Sequence, residues 1–200
     1  MILPKIMSLV SKIDKPFSVA GTKSSKILIF DIDDTLIYSN ATIYVVKDCK
    51  QIKELTPSEY NEYQWHEGEH FDYSNFDSEE LLNQANFTPY WETLKREYNK
   101  GTHIAILTAR GKPKMVRDFF LSNGVDIKDD LIFCCGDHHF PWKGNTHEKK
   151  AKVIEFLMLL GYETFVFFDD NINNLKSAKQ LEELYPTIKI ITVHAKIKKL

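Results

Sequence analysis

Five stretches of the chain are apolar without interruption or nearly so: residues 27–30, 103–107, 131–134, 165–168 and 188–193. Runs of this length without polar alternation suit strands buried on both faces, as in a parallel sheet. Between them the period changes to that of a helix. Trp91, Leu94 and Tyr98 share one face of residues 90–100, and Gly101 follows as a C-terminal stop. Met115, Val116, Phe119 and Phe120 do the same in 113–123, ahead of Gly124. Ile154, Leu157 and Met158 mark 147–160 ahead of Gly161, and Leu175, Ala178, Leu181 and Leu184 mark 173–184. Alternating strands and helices predict an α/β protein with a three-layer, doubly wound parallel sheet.

The alternation breaks at residues 38–89. Ile43-Tyr44-Val45-Val46, the turn-like Lys47–Lys50 and Gln51-Ile52 predict a β-hairpin, and a helix start is expected at Thr56-Pro57-Ser58. A segment this long is too large for a bare loop in a compact domain. It is read as a flap or small cap over the carboxyl edge of the sheet. The expected organisation is an N-terminal arm (1–25), a core (26–37 and 90–200) and the inserted cap (38–89). Ile6, Leu9, Val10 and Ile13 give the arm one apolar face, expected to pack on the body, and 21–25 form a polar linker.

Composition narrows the classes. At 200 residues, roughly 70% of the unfolded surface can be buried, so a core needs no disulfide or metal to hold it. A formal charge of −2 argues against a strongly basic protein that coats nucleic acid. Cys49, Cys134 and Cys135 read as reduced thiols. No signal-peptide pattern and no run of ~20 apolar residues is present, so a cytoplasmic protein without a membrane partner is expected.

The chemistry lies at the ends of the apolar runs, where open α/β sheets bind their ligands. Asp31-Ile32-Asp33-Asp34-Thr35 follows the first, Thr108-Ala109-Arg110-Gly111 the second, and Asp169-Asp170-Asn171 the fourth. Several carboxylates at one edge repel one another unless a cation joins them. Mg²⁺, hard and oxygen-seeking, suits that role, with Asp31, Asp33, Asp169 and Asp170 as candidate ligands. Asp31 would attack phosphorus as a nucleophile, and Asp33 would serve as general acid and base. Thr108 would bind a phosphoryl oxygen, and a lysine at a nearby helix start would offset the negative charge.

In these motifs the chain resembles the haloacid dehalogenase (HAD) superfamily of phosphohydrolases. ILIFDIDDTL matches the hhhhDxDxT motif, AILTAR the strand ending in a hydroxyl residue, and FVFFDDN the strand ending in an acidic pair. The resemblance spans residues 27–174. It implies a Rossmann-like fold, a phosphoric monoester hydrolase, an aspartyl-phosphate intermediate and Mg²⁺. THEKKAKVIEF supplies the motif lysine from Lys149, Lys150 or Lys152. Lys150 is favoured because it shares the inward face of Ile154 and Leu157, and Lys149 is assigned to substrate. Asn174 stands where many members carry a further acidic residue. Arg110, two residues past Thr108, resembles the substrate-contacting arginine of the 3′-phosphatase domain of polynucleotide kinase-phosphatases, and its forked donor suits phosphate. The implied partner is a phosphorylated small molecule or a nucleic-acid end, with no obligate protein partner. A binding module with little turnover, or a phosphotransferase, are the competing readings.

Other features are weaker. Cys134, Cys135, His138 and His139 lack the spacing of a zinc site. Gly136-Asp137 imitates the acidic motif but precedes the lysine helix and reads as a turn. Asp34 is expected to be exposed or structural. Trp65, Phe71, Tyr73 and Phe76 could stack a nucleobase or form the core of the inserted segment. His66, Glu67 and His70 read as exposed polar residues of the cap. Lys143, Lys149, Lys150, Lys152, Lys196, Lys198 and Lys199 could make a basic rim, although such runs are usually solvated faces.

Overall fold

All five apolar runs enter one parallel sheet in the computed structural model, which describes residues 26–196. The arm 1–25, with its apolar face and linker, and the tail lysines Lys198 and Lys199 lie outside the described residues. The strands are β1 (Lys26–Phe30), β7 (His103–Thr108), β8 (Ile132–Cys134), β9 (Thr164–Asp169) and β10 (Lys189–His194), in the order β10-β9-β1-β7-β8. From β1 the chain builds outward through β7 and β8, then returns to the other side of β1 through β9 and β10. The winding direction therefore reverses between β1 and β9, where such sheets open a ligand crevice at their carboxyl ends.

Successive side chains of a strand point to opposite faces, so each apolar run serves two cores. Leu28, Phe30, Ile104 and Ile106 meet Trp91 and Leu94 of α3 (Pro89–Asn99) and Met115, Val116, Phe119 and Phe120 of α4 (Pro113–Ser122). Ile27, Ile29, Ala105, Leu107, Phe165 and Phe167 meet Val153, Ile154 and Leu157 of α5 (Thr146–Leu159) and Leu175, Ala178 and Leu181 of α6 (Ile172–Leu184). The fold is thus α/β, a five-stranded parallel sheet flanked by helices. Leu184 departs from its expected inward place: it is 69% exposed, in the last turn of α6.

Residues 38–89 leave and rejoin the core at one point. β2 (Ile37–Tyr38) pairs antiparallel with β6 (Asn86–Phe87), and Thr88 N–H donates to the Leu36 carbonyl at 3.0 Å. Beyond that neck the expected hairpin forms from β3 (Ile43–Lys47) and β4 (Lys50–Leu55), its turn carried by Asp48 and Cys49 in the left-handed region. Helix α1 (Pro57–Glu62) starts at Thr56 with a reciprocal capping box to Glu59. The pattern does not announce the β2–β6 neck, nor β5 (Glu69–Asp72), which pairs with β3, nor α2 (Glu79–Asn83), capped by Ser78. Among the described residues no helix is long and apolar enough to cross a membrane.

Candidate active site

The site begins with register. Phe30 pairs with Phe168, and their rings stack at 4.4 Å, so the next residues, Asp31 and Asp169, emerge side by side. Asp31 N–H continues the ladder by donating to the Phe168 carbonyl at 3.0 Å. Two acids are thereby held at the crevice between β1 and β9.

Between them stands Lys150. It lies in the second turn of α5 on the face of Val153, Ile154 and Leu157 and is 1% exposed. Its Nζ donates to Asp31 Oδ1 at 2.9 Å and to Asp169 Oδ2 at 2.7 Å. The neighbouring lysines go elsewhere. Lys149 donates to the Cys135 carbonyl at 2.8 Å, and Lys152 pairs with Glu155 on the exposed side of the helix. Asn174 is buried and donates to both Asp169 oxygens at 2.9 and 3.1 Å. An amide in that place fixes Asp169, where a carboxylate would have repelled it.

Asp31, Asp169 and Asp170 bring oxygen atoms within 4.8 Å of one another. Three carboxylates face one ammonium there, which leaves two negative charges unbalanced. The imbalance shows in their acidities. Burial pushes Asp31 well above the carboxylate range; Asp169, Asp170 and Asp33 add to the rise, and Lys150 opposes it. Burial, then Asp169, raises Asp170 to about 7, with Lys150 again opposing. Burial alone would lower the Lys150 ammonium, but the Asp169 and Asp31 charges outweigh it and hold the group well above its usual range. An all-oxygen donor set with a deficit of two charges fits a hard divalent cation. The Asp33 carboxylate is not part of this cluster.

Asp33 instead forms a fork-to-fork pair with Arg110, Nε to Oδ2 at 2.9 Å and Nη2 to Oδ1 at 2.7 Å. The Arg110 guanidinium also donates to the Phe76 carbonyl and lies 4.8 Å from the Phe76 ring. At 1% exposure Arg110 is neither a surface residue nor part of the cavity wall in this arrangement. Thr108 is fully buried, and its Oγ1 accepts the Arg110 N–H at 3.2 Å. Asp34 is buried rather than exposed, in the left-handed region, and Oδ1 accepts the Ser39 N–H at 3.2 Å. It shapes the turn after β1.

The loop after β7 is held from both sides. Asp77 Oδ1 accepts the Gly111 N–H at 2.9 Å, and its carbonyl accepts Lys112 Nζ at 2.9 Å. Nothing near Asp77 in the sequence announces this role, because its partners lie more than 30 positions away. Gly136 packs so closely that a Cβ there would fall 2.3 Å from the Ala109 carbonyl oxygen. The Gly136-Asp137 pair is thus a turn that braces the Arg110 loop. Cys134 and Cys135 are buried in separate cores, while the His138 and His139 rings lie 3.7 Å apart and tilted by 43°. The Cys–His group does not converge into a metal cluster.

A cavity of about 600 Å³ opens over the carboxylates. Asp31, Asp33, Asp170, Lys149 and Lys150 form its base, and the starts of α5 and α6 line one side with Asn145, His147 and Asn173. Two helix N-termini favour anions there. Tyr60, Tyr63, Trp65, Phe71 and Tyr73 of the 38–89 segment line it too. No protein-family model matches the chain, and no curated protein matches it.

Proposed function

We propose that the protein is a Mg²⁺-dependent phosphomonoester hydrolase of the HAD type, with residues 38–89 acting as its cap. The observation that carries this reading is Lys150 bridging Asp31 and Asp169 at the switch point of the sheet, with Asp170 within ligand reach. A purely structural ion pair would not place a third carboxylate, its pKa pushed up by burial, beside the first two and open to a cavity.

Held by Asp31, Asp169 and Asp170, Mg²⁺ would offset the repulsion between an anionic nucleophile and an anionic phosphate. An Asp31 oxygen attacks phosphorus and forms an acyl phosphate as the bond to the leaving oxygen breaks. Asp33 gives that oxygen a proton, then takes one from the water that attacks phosphorus, and Asp31 leaves as a carboxylate. Lys150 keeps Asp31 aligned and balances charge throughout. Arg110 has two claims on its fork, Asp33 in the resting arrangement and the phosphoryl oxygens of a substrate. Its transfer to the substrate would free Asp33 to carry protons. Asn174 and the Thr108 hydroxyl position the groups around this centre.

The test is turnover of an aryl phosphate with Mg²⁺ by the purified chain and by Asp31→Asn. The wild type should release inorganic phosphate and the variant should not. Equal activity in the two would overturn the mechanism.

A further inference from the structure

The wall of the cavity contributed by residues 38–89 is aromatic, and its rings divide into two kinds. Tyr60 packs edge-on against Phe71 at 4.9 Å and Tyr73 at 5.8 Å, and Tyr63 packs against Phe71 at 5.9 Å. A hydroxyl–hydroxyl bond of 2.8 Å ties Tyr60 to Tyr73. Phe76 is buried with Ala41 and Ile43. These rings hold the segment together. Trp65 does not take part. It is 57% exposed, and among the described residues no aromatic ring packs on it. Yet it is fixed: its Nε1 donates to the Glu69 carbonyl at 2.9 Å, at the start of β5, and it lines the same cavity as Asp31 and Lys150. A large indole, anchored through its polar edge and left open into a charged cavity, has no structural task that explains it.

We infer that Trp65 is a stacking platform for a planar ring carried by the substrate. On the phosphatase reading, the substrate is then a nucleotide phosphomonoester, its phosphate at Asp31 and its base on Trp65. The cavity's 600 Å³ is in the range of sites that enclose one small ligand, so a single nucleotide is recognised, either free or at the end of a strand. Stacking on an aromatic face tolerates any base, while Asn173 and His147, which line the same cavity, offer polar groups to the base or sugar edges.

The experiment compares wild type, Trp65→Ala and Trp65→Phe with Mg²⁺ on three phosphomonoesters: nucleoside monophosphates, a 3′-phosphorylated oligonucleotide, and glycerol 2-phosphate, which has no ring. Trp65→Ala should raise KM for the nucleotide substrates about tenfold or more, leave kinetics on glycerol phosphate unchanged, and be largely rescued by Trp65→Phe. The better of the two nucleotide forms identifies whether the monomer or the strand end is the source. Equal kcat/KM for ringed and ringless substrates, unmoved in Trp65→Ala, would overturn the stacking role and leave the phosphatase reading intact. Binding is read separately, by quenching of Trp fluorescence with nucleoside monophosphate against ribose 5-phosphate. Quenching that Trp65→Phe abolishes, with no hydrolysis of any ester, would support the ring site and overturn the phosphatase reading. No quenching and no hydrolysis would overturn both.

Discussion

Lys150 shows what one residue's surroundings do to its contribution. Its ammonium is almost wholly removed from water and is the cation that both Asp31 and Asp169 share. Replacing it with methionine would keep the volume and strand two buried carboxylates, a loss of about 3–5 kcal/mol by the usual cost of breaking a buried pair from one side. Urea denaturation of Lys150→Met should show that loss without Mg²⁺, and part of it should return when Mg²⁺ is added. Identical stability with and without the lysine would mean that the carboxylates are already neutral. Arg110 teaches the complementary point. A forked donor past the motif threonine reads from the sequence as a candidate phosphate ligand, whereas its pairing with Asp33 spans 77 positions and no local pattern encodes it.

At the level of elements, legibility followed how each piece is stabilised. Strands β1, β7, β9 and β10 and helices α3 to α6 bury a face of their own, so hydrophobic period marks them. The β5 strand does not. Its residues Glu69, His70, Phe71 and Asp72 are mostly polar, and it forms because β3 offers an open edge to pair with. The short β2–β6 neck is likewise set by tertiary position, two residues against two. The choice among three consecutive-looking lysines was legible for the same reason as the helices, since only Lys150 lies on the buried face. Helix α1 depends on its Thr56–Glu59 box, and it carries Tyr60 into the ring cluster that backs the cavity. Thr56→Ala should therefore cost about 1 kcal/mol locally. Amide exchange should quicken in α1 and β5 and stay unchanged in β1 and β9; equal protection of α1 in both proteins would show that the cap is redundant.

Over the whole molecule, acidic groups that could hold a cation are gathered at one edge of the sheet. The net charge of −2 says little, because the carboxylates that matter are gathered, buried or half-buried, at one edge. Burial and neighbouring Asp169 raise Asp170 to about 7, above the ordinary value of 3.8. For an acid whose folded value is raised, the stabilising contribution is complete below the unfolded value and lost as pH climbs through the folded one. Without Mg²⁺, the melting temperature should thus fall between about pH 4 and pH 7 more steeply in wild type than in Asp170→Asn, and the two curves should run parallel above that. Mg²⁺ bound as proposed would compete with protons for the same oxygens, so the rise in melting temperature on adding it should be larger at the alkaline end. Parallel curves for the two proteins, with no Mg²⁺ effect at either end, would remove Asp170 from the proposed metal site.

The central claim is that phosphorus is transferred to Asp31. Borohydride reduces an acyl phosphate to an alcohol but leaves a free carboxylate alone, so quenching a reaction in the steady state with borohydride marks the nucleophile. Mass spectrometry of the digested protein should find homoserine at position 31 when substrate and Mg²⁺ are both present, and aspartate when either is left out. Turnover that leaves Asp31 unmodified, or that marks another carboxylate in its place, would contradict the account.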